Sequence, residues 1–318
     1  MGLLKKVNQW VSGPSTKPVE NDVNEAHFSS LLSSLMTMAW FVEARDPYTG
    51  GHLWRVAKFS ELVALKAGLS QDEAARISLG GFLHDLGKVG IPDAILRKTE
   101  KLTDDEYDVI KTHPDIGFRM LSGHPLAELV KDAVLLHHER PDGRGYPQGL
   151  MADQISDMAK VVGLCDAFDA MTSSRPYRAG MPQEKALSII AANKGSQFDA
   201  EFADALIALG DSEQLQHIIG HSDEGIPLQS CPACGPTIVV QRESEVGDHV
   251  HCPNCTGTFA LSKTNDSLDI SPLELLPLDL VATAKDLEPK LDNALIGRQL
   301  DQVITGLSQK TISKHLPF

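Results

Sequence analysis

The feature that most constrains the fold is a series of apolar segments with helical periodicity between residues 28 and 209. Apolar residues recur there every three or four positions, and few stretches alternate between apolar and polar residues as strands do. Proline and glycine interrupt the series, and the sequences SQDE at 70–73 and TDDE at 103–106 have the form of capping boxes that open helices. The sequence therefore predicts a mostly α-helical main domain.

The helices predicted for this domain differ in length and are separated by short breaks. They span residues 28–42, 52–67, a segment from 71 that carries His84 and Asp85, a segment from 104 that leads to His113, 126–138, 155–171, 183–192 and 200–209.

Two Cys-x-x-Cys pairs follow the helical part, Cys231 with Cys234 and Cys252 with Cys255, and 17 residues separate the pairs. In a chain without a recognisable secretory signal, such pairs favour metal binding over disulfide bonds. The spacing matches a four-cysteine zinc ribbon, and the flanking residues have the character of short strands. We therefore predict one structural Zn ion in a small β module, which serves either as a structural clip or as a docking module for a protein partner.

The predicted domain organisation has five parts. They are a flexible N-terminal arm (1–27), the helical domain (28–210), a polar connector (211–228), the zinc ribbon (229–262) and a helical C-terminal segment (263–318). A protein partner could bind through the ribbon or the C-terminal helices, and the apolar sequence LELLPLDLVATA could form a homodimer contact.

The chain is acidic, with a formal net charge of −14. Its overall field does not attract nucleic acid, so nucleic-acid binding is not expected. If the substrate is anionic, metal ions and a few placed basic residues must supply positive charge locally. No apolar run reaches the length needed to cross a bilayer, and the N-terminus lacks the pattern of a signal peptide. We therefore expect a cytoplasmic protein without a transmembrane segment.

Histidine and aspartate residues recur beside apolar residues on the predicted helices or at their ends. One histidine of this kind is more often a core or surface residue than a metal ligand, but together they form a set of ligand types. The candidates are His52, His84, Asp85, His113, His137, His138 and Asp166. Imidazole with carboxylate suits iron, manganese, nickel, cobalt or zinc better than magnesium or calcium. Two such ions are the usual means of cleaving a phosphodiester, and Lys88, one predicted helical turn after His84, could hold a phosphate oxygen.

The sequences HDLGK at 84–88 and HHERPDGRGYP at 137–147, in this order, resemble the motifs of the HD-GYP family of HD phosphohydrolases. The resemblance covers about residues 28–210 and implies an HD-type helical fold. It implies hydrolysis of cyclic di-GMP to pGpG, and possibly to GMP, in bacterial second-messenger signalling. It further implies two transition-metal ions, Fe or Mn, held by the candidate set above. In this assignment Asp85 bridges the ions and Lys88 contacts the scissile phosphate, so these two residues are the predicted catalytic groups.

The same resemblance assigns the remaining substrate-binding residues. Besides Lys88, they are Gly145, Tyr146 and Pro147 of the signature loop and the basic pair Arg175 and Arg178. Tyr48 stands where family members with three metals have a glutamate, so two ions are expected in this centre. The alternative prediction is a catalytically weak cyclic di-GMP receptor that signals through its zinc ribbon.

Overall fold

The computed structural model describes residues 17–46, 50–174, 179–235, 237–263 and 273–315. Within these ranges the helices are α1 (Lys17–Glu43), α2 (His52–Lys66), α3 (Gln71–Leu83), α4 (Asp93–Leu96), α5 (Asp104–Ile110), α6 (His113–Leu121), α7 (Ala127–Leu136), α8 (Asp157–Thr172), α9 (Gln183–Ala192), α10 (Ala200–Asp211), α11 (Asn293–Gly306) and α12 (Gln309–Lys314). The strands are β1 (His221–Asp223), β2 (Ile226–Pro227), β3 (Gln229–Ser230), β4 (Thr237–Ile238), β5 (His249–His251), β6 (Gly257–Ser262) and β7 (Glu274–Val281).

Helices α2 and α3 pack along each other and have an apolar core on either side. One core joins α2 to α8, α9 and α10, and contains Phe59 and Phe168 in edge-to-face contact with ring centroids 5.2 Å apart. The other core joins α3 to α1, α7 and α11 around Phe28 and Phe82. This arrangement confirms the prediction of a mostly helical main domain. Within the described ranges, the helices are too short or too polar to cross a bilayer.

Capping boxes fix the starts of α3 and α5, as the sequence predicts. The N–H of Ser70 donates to the carboxylate of Glu73 at 3.0 Å, while the Ser70 hydroxyl accepts from the Glu73 N–H. Thr103 and Glu106 make the same reciprocal pair at the start of α5. Each box satisfies two backbone groups that the first turn of a helix would otherwise leave unpaired.

Several predicted helix boundaries are wrong. Helix α1 begins at Lys17, so residues 17–27 of the predicted arm are helical, while residues 1–16 lie outside the described residues. The helix predicted from 104 ends at Ile110, and His113 begins a separate helix, α6, in which Pro114 lacks the N–H that a continuous helix would use.

The prediction that Lys88 lies one helical turn after His84 is also wrong. Helix α3 ends at Leu83, and a 3₁₀ helix (Leu86–Gly90) follows. This turn packs tightly on α6, since a β-carbon on Gly87 would lie 1.8 Å from the carbonyl oxygen of His113. Only glycine allows such a close approach of two backbones. Lys88 therefore projects from this tight 3₁₀ turn and not from a continuation of α3.

The β part extends beyond its predicted boundaries on both sides. The predicted connector contains the antiparallel hairpin β1–β2, and the C-terminal segment, predicted to be helical, begins with strand β7. Strand β7 pairs antiparallel with β6, so the sheet of the ribbon has the order β5-β6-β7. Phe259 of β6 lies opposite Pro277 of β7, and pairing with β6 replaces the helix that the leucine-rich sequence predicts.

Helices α11 and α12 do not form a separate C-terminal unit. Ile296, Val303 and Ile312 are buried in the core that α1, α3 and α7 share. The apolar face of these helices is therefore covered by the helical domain, which corrects the predicted boundary at residue 263.

Candidate metal centre and active site

The seven predicted metal ligands come from five parts of the helical domain and converge on one centre. His52 is the first residue of α2, His84 and Asp85 follow α3, His113 is the first residue of α6, His137 and His138 follow α7, and Asp166 lies in α8. Most stand at helix ends, where a short turn rather than a helix face sets the direction of the side chain.

Asp85 lies at the middle of this centre. Its Oδ2 atom is 3.5 Å from Nε2 of His52 and 3.4 Å from Nε2 of His84, and its Oδ1 atom is 3.4 Å from Nε2 of His113. Asp166 approaches the same side as His52, with Oδ1 3.6 Å from the His52 Nε2. These separations exceed ordinary hydrogen bonds and match ligand atoms that share an ion.

The second side of the centre consists of three histidines. Ligand nitrogens of His113, His137 and His138 lie within 4.8 Å of one another, and the same limit holds for the ligand atoms of His52, His84 and Asp85. Asp85 thus directs one oxygen toward each group of imidazoles. The described residues form two neighbouring groups able to hold metal ions.

Three of the imidazole rings are oriented by the backbone. Nδ1 of His84, His113 and His137 lies 2.7, 2.8 and 2.7 Å, respectively, from a carbonyl oxygen three or four residues earlier in the chain. An Nδ1–H that donates to a carbonyl leaves the lone pair on Nε2, which faces the centre. Nε2 of His84 is buried and makes no hydrogen bond within the described part of the chain. A buried nitrogen without a partner is costly, so this donor set fits a metal ion.

Burial sets the protonation of the centre. It lowers the pKa of His84, His113 and His137 to about 4. Burial would raise the pKa of Asp85, but the Lys88 ammonium and the surrounding imidazoles hold it well below its usual value. The neutral imidazoles of these three histidines and the ionised carboxylate of Asp85 are in the states that metal ligation requires.

Lys88 reaches the centre from its 3₁₀ helix. Its Nζ donates to Oδ2 of Asp85 at 2.6 Å, and the side chain keeps 23% of its surface exposed. It lines a small crevice together with Glu43, Asp46 and His52. The Lys88 side chain therefore lies beside the ligands and is partly exposed to solvent.

The Gly-Tyr-Pro loop forms a wall beside the three-histidine group. The ring of Tyr146 stacks on His138 with centroids 4.6 Å apart, and the N–H of Tyr146 donates to the carbonyl of His138 at 3.2 Å. Gly145 has no space for a side chain, since a β-carbon there would lie 2.4 Å from the backbone nitrogen of Arg140. The peptide bond between Tyr146 and Pro147 is cis.

Three residues named from the sequence cannot be placed in this centre. Arg175 and Arg178, the predicted phosphate-binding pair, and Tyr48, at the predicted third-metal position, lie outside the described residues.

A family model for the HD domain matches residues 36–202, the stretch that contains the whole centre. The chain belongs to the HD domain family. A cyclic di-GMP phosphodiesterase response regulator of Xanthomonas campestris pv. campestris is 41% identical to this HD domain protein over 189 residues, which are 59% of this chain and 50% of the relative. A 3′3′-cGAMP-specific phosphodiesterase of Vibrio cholerae is 39% identical over 166 residues, 52% of this chain and 36% of the relative. The matched region thus spans half or less of these relatives.

A solved structure of an HDG"Y"P protein from Bdellovibrio bacteriovorus matches the HD domain protein with a TM-score of 0.47 and 17% sequence identity. The match covers 63% of this chain and 74% of that one.

Sequence reasoning missed a buried ion pair that orients His52 in this HD domain protein. Asp169 accepts from Nδ1 of His52 at 2.8 Å and from Nε and Nη2 of Arg55 at 2.5 and 3.1 Å. Burial lowers the pKa of His52, but its hydrogen bond to Asp169 and the nearby carboxylates of Asp85 and Asp166 outweigh this effect and raise the pKa to about 9. A cation at the His52 Nε2 would replace that proton. The available sequence signal for this pair is its spacing from two predicted ligands. Asp169 lies one helical turn after Asp166, and Arg55 lies one helical turn after His52.

Sequence reasoning also missed Glu139, which organises the signature loop. Its buried carboxylate accepts hydrogen bonds from the backbone N–H groups of Gln148, Gly149 and Leu150 at 2.6, 3.1 and 2.9 Å. These bonds close the loop that begins with Gly145 and keep Tyr146 against His138. The residue follows directly after the histidine pair in HHERPDG, which was the available signal.

The four ribbon cysteines form a second, separate cluster. Sγ of Cys231 is 3.7 Å from that of Cys255 and 3.6 Å from that of Cys234, which is 3.5 Å from that of Cys252. Four sulfurs bound tetrahedrally at about 2.3 Å are separated by about 3.8 Å, whereas a disulfide is about 2.05 Å long. The cluster is consistent with the predicted zinc ribbon.

Proposed function

We propose that this chain is a metal-dependent phosphodiesterase that hydrolyses cyclic di-GMP to pGpG. The observation that carries the proposal is the position of Asp85, which directs one oxygen toward each of two groups of imidazoles. Two adjoining ion sites that share a carboxylate suit in-line cleavage of a phosphodiester.

Two ions in this centre would be held by Asp85 and the six other ligands around it, and we propose Fe or Mn. Imidazole with carboxylate donors supports these metals over magnesium or calcium. When bound, the ions supply a nucleophile at neutral pH and stabilise charge on the phosphoryl oxygens. A Zn ion in the four-cysteine cluster would have a structural role.

The remaining roles belong to residues at the edge of the centre. Lys88, half-buried beside Asp85, would bind a non-bridging phosphate oxygen and stabilise the charge that develops there. The backbone and ring of Tyr146, fixed by His138 and Glu139, would shape the wall against which the dinucleotide lies. We assign Arg175 and Arg178 to the substrate phosphates on the strength of the sequence motif.

Cyclic di-GMP is proposed as the substrate because the relative with 41% identity is named for it, while a relative with 39% identity is named for 3′3′-cGAMP. The two dinucleotides differ in one base, so the kcat/KM values for the two substrates must be compared directly. Purified protein loaded anaerobically with Fe(II) or aerobically with Mn(II) should convert cyclic di-GMP to pGpG, with a higher kcat/KM than for 3′3′-cGAMP. A higher kcat/KM for 3′3′-cGAMP would transfer the proposal to that substrate.

Variants of the centre test the assignment of roles. Asp85→Asn should abolish turnover, and Lys88→Gln should lower kcat by about 10²–10³-fold, as loss of one charge-stabilising donor does. His217→Ala is the matched control, because this histidine is exposed and belongs to neither group of metal-ligand atoms. Tight binding of cyclic di-GMP without turnover in wild-type protein would favour the receptor function instead.

We further propose a cytoplasmic setting. The four ribbon cysteines, which lie close together without forming disulfide bonds, support it. A partner protein or a second copy of the chain would meet β7 rather than the C-terminal helices. The side chains of Leu276 and Leu280 on β7 are exposed, whereas the helices use their apolar face within the chain.

A further inference from the structure

The zinc ribbon touches the segment that leads into α2. Gly50 lies so close to Val239 that a β-carbon on the glycine would be 2.4 Å from Cγ2 of the valine. The same position would be 3.5 Å from a methyl group of Thr237 and 3.9 Å from one of Leu228. Thr237 belongs to β4, between the first cysteine pair and Val239. A surface of the ribbon therefore presses directly on the backbone two residues before His52.

The hairpin β1–β2 supports the next residue of this segment. Gly51 caps the N-terminus of α2 with a left-handed φ of 72°, and a β-carbon there would lie 2.4 Å from the α-carbon of Ser222. Arg55 joins the two elements, because its Nη1 donates to the carbonyls of Gly50 at 2.9 Å and of His221 at 2.8 Å. The same guanidinium binds Asp169, which in turn holds Nδ1 of His52.

Charged side chains fasten the hairpin, the ribbon and the C-terminal helix to one another. The buried carboxylate of Asp223 accepts from Nε of Arg242 at 3.1 Å and from Nη2 of Arg298. Arg242 comes from the ribbon and Arg298 from α11. A displacement of the ribbon would thus change the position of β1 as well as the contact at Gly50.

We propose that the zinc ribbon is a positioning element of the catalytic centre, which holds Gly50 and Gly51 so that His52 can bind its metal ion. The inference rests on the proposed function only in treating His52 as a ligand. The ribbon acts through Val239 on Gly50 and through β1 on Arg55 and Asp169. Residues that orient a metal ligand typically change metal affinity by about 10–100-fold when they are altered.

Adding a β-carbon at Gly50 and then removing a methyl group at Val239 tests this contact. Gly50 does not have a left-handed φ, so alanine fits the backbone there and clashes only with its neighbours. In the full-length, zinc-loaded protein, Gly50→Ala should weaken Mn²⁺ binding by about 10-fold or more, measured by the EPR signal of free Mn²⁺. Adding Val239→Ala removes the methyl group that the new β-carbon meets and should restore most of the affinity.

The matched control is Val246→Ala in the Gly50→Ala background, because Val246 is an exposed valine of the same ribbon with no contact to Gly50. It should leave the weakened affinity unchanged. Wild-type affinity in Gly50→Ala, or equal affinity in the two double variants, would overturn the proposal.

A second measurement varies the ribbon itself. Cys234→Ser in the full-length chain should weaken Mn²⁺ binding at the catalytic centre by about 10-fold or more while helical circular dichroism is retained. Mn²⁺ affinity within about twofold of wild type after loss of the ribbon zinc would refute the coupling. Ribbon-dependent Mn²⁺ binding without hydrolysis would remove the proposed function and keep this inference, whereas absence of Mn²⁺ binding in every variant would overturn both.

Discussion

Replacing Asp169 with asparagine should destabilise the helical domain strongly. Asp169 and Arg55 are almost fully buried, with 1% and 2% of their side chains exposed. Both oxygens of the carboxylate accept hydrogen bonds, Oδ1 from Arg55 and Oδ2 from Arg55 and His52. In Asp169→Asn, an NH₂ group must face one of these donors, and the guanidinium loses its counter-ion. Removing one partner of a buried pair costs about 3–5 kcal/mol, and we expect a loss of this size in the free energy of unfolding.

The assay is urea denaturation followed by circular dichroism, with chelator present so that metal binding does not contribute. Asp93→Asn is the matched control, since Asp93 pairs with Arg45 at 2.6 Å but is 61% exposed. An exposed pair contributes about 0–1 kcal/mol, so this variant should remain close to wild type. Equal losses in the two variants would show that the Asp169 pair does not stabilise the fold as argued.

Three further predictions concern other parts of the chain. Gly145→Ala should lower kcat/KM for the cyclic dinucleotide by about 10²-fold, because the new β-carbon displaces the signature loop, whereas Gly123→Ala, where a β-carbon meets no atom within 4 Å, should leave kcat/KM unchanged. Cys234→Ser should reduce the zinc content of purified protein, measured by mass spectrometry of the metal, well below about one per chain. Burial raises the pKa of Asp72, but its hydrogen bonds to Ser308 and Thr311 lower it overall. Docking of α12 should therefore be strongest at a pH above 3.8, the ordinary pKa of an aspartate, and be lost as the pH falls through the lowered pKa of Asp72 in the folded state. Hydrogen exchange in α12 should follow this pH dependence in the wild-type protein and lose it in Asp72→Asn.

Features that depend on neighbouring residues could be predicted from the sequence. The capping boxes at Ser70 and Thr103 form because each involves residues three apart, and α9 spans the predicted residues 183–192. The grouping of the metal-binding candidates into one centre could be predicted from the order of the motifs along the chain. The number of residues between the candidates was not sufficient by itself.

Features that depend on distant pairing could not be predicted in the same way. His52 and Asp169 are 117 positions apart, so their contact exists only in the packed domain. Strand β7 has a leucine-rich sequence that suits a helix or a strand, and pairing with β6 decides between them. The tight turn after Leu83 depends on the approach of Gly87 to the backbone of α6.

The shared carboxylate of Asp85 determines how the centre can be dissected by mutation. Since each of its oxygens faces a different histidine group, a substitution at Asp85 changes the donor atoms of both proposed ion sites at once. A mononuclear variant must instead be sought at the periphery, for example at His138, whose ligand nitrogen belongs to one group only. Dissection of the two sites therefore begins at the histidines, and Asp85 variants report on the pair as a single unit.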